Sequence, residues 1–125
     1  MNSKIEFVQQ MQKRTKDFSL RTIRLFRALP KTDEAKIIGK QLLRSATSVG
    51  ANYRAVCRAR SQAEYFSKLS IVVEEADESV FWMELLIEAE IVRSEKLGNL
   101  MNEASELLAI FSTARKNSKD SQRSF

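Results

Sequence analysis

Between Phe7 and Leu29 apolar residues return every three or four positions, the spacing of a helix with one buried face. At ~100° per residue, Phe7, Met11, Phe18, Thr22, Leu25 and Leu29 share one arc. The pattern ends at Pro30, because a proline disfavours helical geometry in the residue before it. A first helix over 3–29 is predicted. Thr32 is a good N-cap, and Asp33 and Glu34 follow where the helix dipole favours carboxylates. The second helix then runs to about residue 59, with Ala35, Ile38, Leu42, Ala46, Val49, Tyr53 and Val56 on its apolar face.

Ser61-Gln-Ala-Glu64 is a capping-box sequence and starts a third helix, predicted to reach residue 92. It disfavours the alternative in which helices two and three are continuous. Ser94 caps a fourth helix predicted to end at Ala114, weakened a little by Gly98 in its first turns. Residues 115–125 are polar and non-periodic, and a flexible tail is expected there. Long helices joined by short connections are antiparallel neighbours. The expected fold is therefore all-α, an up-down-up-down four-helix bundle over 1–114.

Helix three breaks the simple pattern. Its expected core arc is Phe66, Leu69, Val73, Ala76, Val80, Met83, Ile87 and Ile91. Yet Ile71, Phe81, Trp82 and Leu85 lie on the opposite side among Glu74, Glu75 and Glu78. A helix apolar on two sides needs a second burial partner. With Ile23 of a sparser stripe on helix one (Ile5, Leu20, Ile23), Ile71, Trp82 and Leu85 form the expected interface of a homo-oligomer. Trp82 is its expected anchor.

Composition agrees with helices, since the chain of 125 residues holds only one proline and three glycines. No apolar run approaches the ~20 residues of a membrane span, and the first residues lack a signal-peptide pattern. A cytoplasmic protein without a membrane partner is expected. Histidine is absent and Cys57 is the sole cysteine, which excludes Cys/His zinc sites and histidine-based triads or dyads within one chain. Asp77 and Glu84 are the conceivable acids of an all-helical catalyst, but pairing with Arg14 or Arg21, or with a backbone donor, accounts for them more simply. No enzyme activity, cofactor or metal is expected.

Charge changes the picture more. Residues 1–60 carry a balance of +10 and residues 61–100 a balance of −6, within a net charge of +5. Lys40, Arg44, Arg54 and Arg58 project from helix two away from its core arc, and Lys13, Lys16, Arg24 and Arg27 form a like stripe on helix one. These eight are the candidate contacts to the phosphates of RNA or DNA. No aromatic interleaves on those faces, so backbone rather than base recognition is expected. The competing reading is a structural or protein-docking oligomer whose basic stripes meet acidic protein surfaces. Gly50 sits inside helix two near Ala46 and lacks any phosphate-loop pattern around it, so both are assigned to close helix packing.

The segment Leu43-Arg-Ser-Ala-Thr-Ser-Val-Gly-Ala-Asn-Tyr-Arg-Ala55 resembles a known bacterial family, the four-helix-bundle proteins encoded in intervening sequences of 23S ribosomal RNA genes. It is also similar to the accessory variability proteins of diversity-generating retroelements. Residues Ala63–Leu86, AEYFSKLSIVVEEADESVFWMELL, carry the second half of the resemblance, which spans about 10–112. Many members have Ile-Ala-Glu-Gly after the Ala-Asn pair, where this chain has Tyr53-Arg54-Ala55-Val56. The resemblance implies a cyclic homopentamer forming a barrel, a basic nucleic-acid-binding surface and, in retroelement members, a reverse transcriptase partner.

Overall fold

The computed structural model describes residues 3–123, with side chains described through Ser118. Four helices follow one another: α1 (Ser3–Ala28), α2 (Asp33–Cys57), α3 (Gln62–Glu88) and α4 (Ser94–Arg123). Among the described residues there is no strand. The connections 29–32, 58–61 and 89–93 are too short to return a chain to its starting end, so consecutive helices run antiparallel. Each helix packs on the next, and a slighter α1–α4 contact closes the bundle.

The helix starts form where the sequence places them. The Thr32 hydroxyl accepts from the Ala35 amide at 3.4 Å, and the Ser61 hydroxyl accepts from Glu64 at 3.0 Å. Each satisfies a first-turn amide that the helix itself cannot. The break at Ser61 also removes the alternative of a continuous α2–α3 helix.

The end of α3 differs from expectation. It stops at Glu88 rather than at residue 92, because Glu90 takes a left-handed φ of 60°. The Ile91 amide then donates to Leu86 O at 2.9 Å and the Glu90 amide to Ile87 O at 3.0 Å. This is the double hydrogen bond that closes a helix through one left-handed residue, a position usually held by glycine. Ile91 therefore packs on the core from the turn.

A second difference lies in α4. The helix continues to Arg123 instead of fraying after Ala114. Ser118 is buried and accepts from the Gln62 side chain at 3.0 Å. Arg115 donates to Ser70 Oγ at 2.7 Å, and its guanidinium lies over the Phe66 ring at 5.1 Å. These contacts anchor on α3 a stretch that has few apolar residues of its own. Residues 124 and 125 of the expected tail lie outside the described residues.

Core positions alternate in steps of three and four on every helix. They are Met11, Thr15, Phe18 and Thr22 on α1, and Ala35, Gly39, Leu42, Ala46, Val49, Tyr53 and Val56 on α2, where Ser45 beside Ala46 is buried as well. On α3 they are Leu69, Val72, Ala76, Ser79, Met83 and Leu86, and on α4 Leu97, Leu100, Ala104, Leu107 and Phe111. This 3.5-residue repeat is the packing of a coiled-coil-like bundle. Burying each large side chain stabilises the fold by about 1.5–3 kcal/mol before entropy opposes it.

Two core expectations need correction. Phe7 is 43% exposed, because α2 ends at Cys57 and the start of α1 has little to pack on. On α3 the buried flank is Val72, Ser79 and Leu86, while Val73, Val80 and Ile87 are only half-buried. Apolar residues surround this helix, so its periodicity carries little phase information.

Candidate functional site

Gly50 brings α1 and α2 together. A Cβ built there would stand 3.3 Å from the Thr15 carbonyl oxygen, with backbone rather than a movable side chain as its neighbour. Small Ala46 supports the same approach, since its carbonyl oxygen lies 3.4 Å from Ser19 Oγ of α1. Both residues thus serve close helix packing.

Above this contact runs a groove of about 800 Å³ between α1 and α2. Lys13 and Lys16 stand on the α1 side, and Arg54 and Arg58 on the α2 side. The i, i+3 and i, i+4 spacings put each pair on one side of its own helix. None of the four has a carboxylate within 4.0 Å among the described residues, and no Asp or Glu lines the groove. Four like charges facing one concavity favour a bound anion. Thr15 and Ser19 form the floor, but their hydroxyls donate to the Gln12 and Thr15 carbonyls at 3.2 and 3.1 Å. Their protons are committed, so the ammonium and guanidinium groups are the donors left for an anion. A second cleft of about 530 Å³ is lined by Arg54 and Arg58 and by Arg60, which stands 4.0 Å from Glu64 in the same lining.

Arg44 is placed elsewhere. It donates to Glu75 Oε2 at 2.9 Å and to Glu78 Oε1, tying α2 to α3. Glu78 also accepts from Trp82 Nε1 at 3.1 Å. Burial pushes the Glu78 carboxyl up, but the hydrogen bonds from Arg44 and Trp82 outweigh it and hold the group below the usual carboxylate range. Arg44 is thus a bridge within the chain and leaves the groove to the other cations. Arg24, Arg27 and Lys40 are exposed but lie outside the groove lining.

The expectation for Arg14 also changes. It pairs with Glu103 across the α1–α4 contact, at 2.6 and 3.0 Å in a two-pronged arrangement, and reaches Glu106 at 3.4 Å. Asp77 and Glu84, the suggested partners, are both exposed and in no ion pair among the described residues. Among those residues no cluster of three or more cysteine or carboxylate groups stands close enough to hold a metal, and no helix is long and apolar enough to cross a membrane.

The expected interface residues divide. Ile71 is 36% exposed, whereas Ile23, Trp82 and Leu85 are half-buried. Trp82 packs on its own core and is held by Glu78, while its neighbour Phe81 is 48% exposed with the two rings edge to face at 5.0 Å. Phe81, with Ile71, is the more available apolar contact.

Residues outside the charge count complete the site. Cys57 is exposed and lines both the cationic groove and a cavity at the adjoining end of the bundle. Tyr65 and Phe7 line that cavity, so aromatic groups do stand close to the basic face. The signal for them was only the proximity of Cys57 to Arg54 and Arg58 in sequence. The two tyrosines of the cavity, Tyr53 and Tyr65, are both pushed upward in pKa, first by burial and then by the nearby thiol of Cys57, and stay neutral.

Comparison with known proteins agrees with the bundle. The family described as 23S rRNA-intervening sequence protein matches residues 8–113, and the chain belongs to that family. It is similar to a crystal structure of a protein of unknown function from the S23 ribosomal protein family of Bacteroides thetaiotaomicron VPI-5482. The two are 31% identical with a TM-score of 0.80, over 87% of this chain and 97% of that one. No protein of curated function matches the sequence.

Proposed function

We propose that this member of the 23S rRNA-intervening sequence protein family is a non-enzymatic, self-associating bundle whose α1–α2 groove binds the phosphate backbone of RNA or DNA. The observation that carries it is the convergence of Lys13, Lys16, Arg54 and Arg58 on one groove lined by no carboxylate. The contrast with Arg14 and Arg44 supports it, since those cations are neutralised within the chain. Self-association belongs to the same proposal. A closed ring, of five copies by the family resemblance, would cover Ile71 and Phe81 and leave no open-ended contact.

The test is a fluorescence-polarisation titration of labelled RNA and DNA across salt. Four displaced counterions give a log–log slope of roughly −3 to −4. The double substitution Arg54→Glu and Arg58→Glu should abolish binding at low salt without changing the assembly mass. Absence of binding at about 50 mM salt, or binding indifferent to salt, rejects the proposal.

A second reading is favoured by the carboxylates that already hold Arg14 and Arg44. On it, the free cations of the groove meet acidic surfaces of another protein chain. The same double substitution would then break up the assembly and leave any weak nucleic-acid binding as it was.

A further inference from the structure

At the end of the bundle where α2 finishes and α3 begins lies a cavity of about 470 Å³. That volume falls in the roughly 300–1,000 Å³ range of small-molecule pockets. Its walls are mostly apolar and aromatic, with Val56, Leu69 and Phe111 behind and Phe7 and Tyr65 toward the opening, and Lys4, Arg60 and Gln62 also line it. Phe7 is 43% exposed, so its ring is available to a ligand at the opening.

The cavity adjoins the cationic groove through one shared residue and the second cleft through another. Cys57 lines cavity and groove, and Arg60 lines the cavity together with the cleft that holds Arg54 and Arg58. A ligand that spans cavity and groove is matched by negative charge along one part and a flat apolar group at another. A nucleotide strand has that division, with phosphates outside and aromatic bases free to turn aside. In a duplex the bases are paired and stacked, and one could enter only by being flipped out. Single strands are recognised by stacking unpaired bases on aromatic side chains beside a positive track.

We infer that this cavity receives a base of a single-stranded nucleic acid whose phosphates lie between Lys13, Lys16, Arg54 and Arg58, an inference that rests on the phosphate-binding reading above. The strand runs along the α1–α2 groove and turns one base inward past Cys57. Phe7 and Tyr65 flank it at the opening. Contact through a π-face discriminates little between bases, so the site prefers single strands to duplexes rather than one sequence to another.

The test uses the full chain with four labelled 12-residue probes: single-stranded RNA, single-stranded DNA, the DNA duplex and an abasic DNA strand. The expected result is binding of the base-bearing single strands about ten-fold tighter than the abasic strand and the duplex. Phe7→Ala should lose most of that preference while retaining the salt-dependent component. Phe7 is exposed, so its helicity and melting temperature should be unchanged, whereas Tyr65 packs on the core and is a poorer probe. Lys16→Glu should weaken every probe alike. Equal binding of abasic and base-bearing strands overturns the base site and leaves the phosphate groove standing. Failure of all four probes at low salt overturns both.

Discussion

The hydroxyls of Ser45 and Ser79 lie 2.9 Å apart across the α2–α3 contact, with both residues fully buried. Each also reaches a carbonyl of its own helix, Leu42 O at 3.2 Å for Ser45 and Glu75 O at 2.8 Å for Ser79. One polar pair among apolar core positions favours one register, because a slip forfeits the hydrogen bond between the helices. Ser79→Ala should cost about 1 kcal/mol. Adding Ser45→Ala should cost little more, since the bond between the two hydroxyls is already lost. A double-mutant cycle by urea unfolding checks it, and strictly additive costs would show that the pair is not coupled.

Glu78 sets an acid limit on stability. Its folded-state pKa lies below the ordinary value of 4.5, so its contribution is complete above that value. The contribution fades as pH falls below about 4.5 toward the lowered value, because the unfolded chain then binds more protons than the folded one. Glu78→Gln should flatten this part of the stability profile and leave the neutral-pH slope unaltered. Thermal melts from pH 3 to 7 measure it.

Two arginines of one helix should separate stability from binding. Arg44→Glu sets a third carboxylate beside Glu75 and Glu78 and should lower stability by roughly 1 kcal/mol, the scale of a solvent-screened pair. Its nucleic-acid affinity should stay within about two-fold, because Arg44 is outside the groove. Arg58→Glu should do the reverse, weakening binding with little change in melting temperature. Melting and polarisation on the same samples decide between them.

Backbone substitutions should act with opposite sign at different places. No atom stands within 4 Å of a Cβ at Gly98, so Gly98→Ala should stabilise by about 0.5–1 kcal/mol. Glu90→Gly relieves a left-handed residue and should stabilise by about 1 kcal/mol. Gly50→Leu, by contrast, presses a side chain onto the Thr15 carbonyl and should destabilise by 1–3 kcal/mol or about that. Urea midpoints for the three variants give the order directly.

Self-association should depend on the outer face of α3. Ile71→Ser with Phe81→Ser removes its exposed apolar contacts and should shift sedimentation to a smaller species with unchanged helicity. Trp82→Ala should also lower stability, since that ring packs on its own core. A wild-type chain that already sediments as a monomer would reject the assembly.

Much of the architecture is legible one helix at a time. Pro30, Thr32 and Ser61 act on neighbouring residues, so the helix boundaries they set need no tertiary information. The strong one-sided patterns of α1 and α2 likewise place Met11, Phe18, Leu42, Val49 and Val56 in the core. The site was half legible for the same reason. Charge and spacing single out eight cations, but spacing reaches only across one helix.

Tertiary structure decided whatever depends on a neighbour. The burial of Ser79 and Val72 rather than Val73 and Val80 follows from which face α2 presents, with Ser45 opposite Ser79. The order of α4 beyond Ala114 comes from Ser70, Phe66 and Gln62 of another helix. Arg44 leaves the candidate set because Glu75 and Glu78 reach it, while Lys13, Lys16, Arg54 and Arg58 meet because Gly50 lets two backbones approach. Caps and periodicity are local interactions written along the chain. Ion pairs and grooves are distances between helices, and only packing sets those.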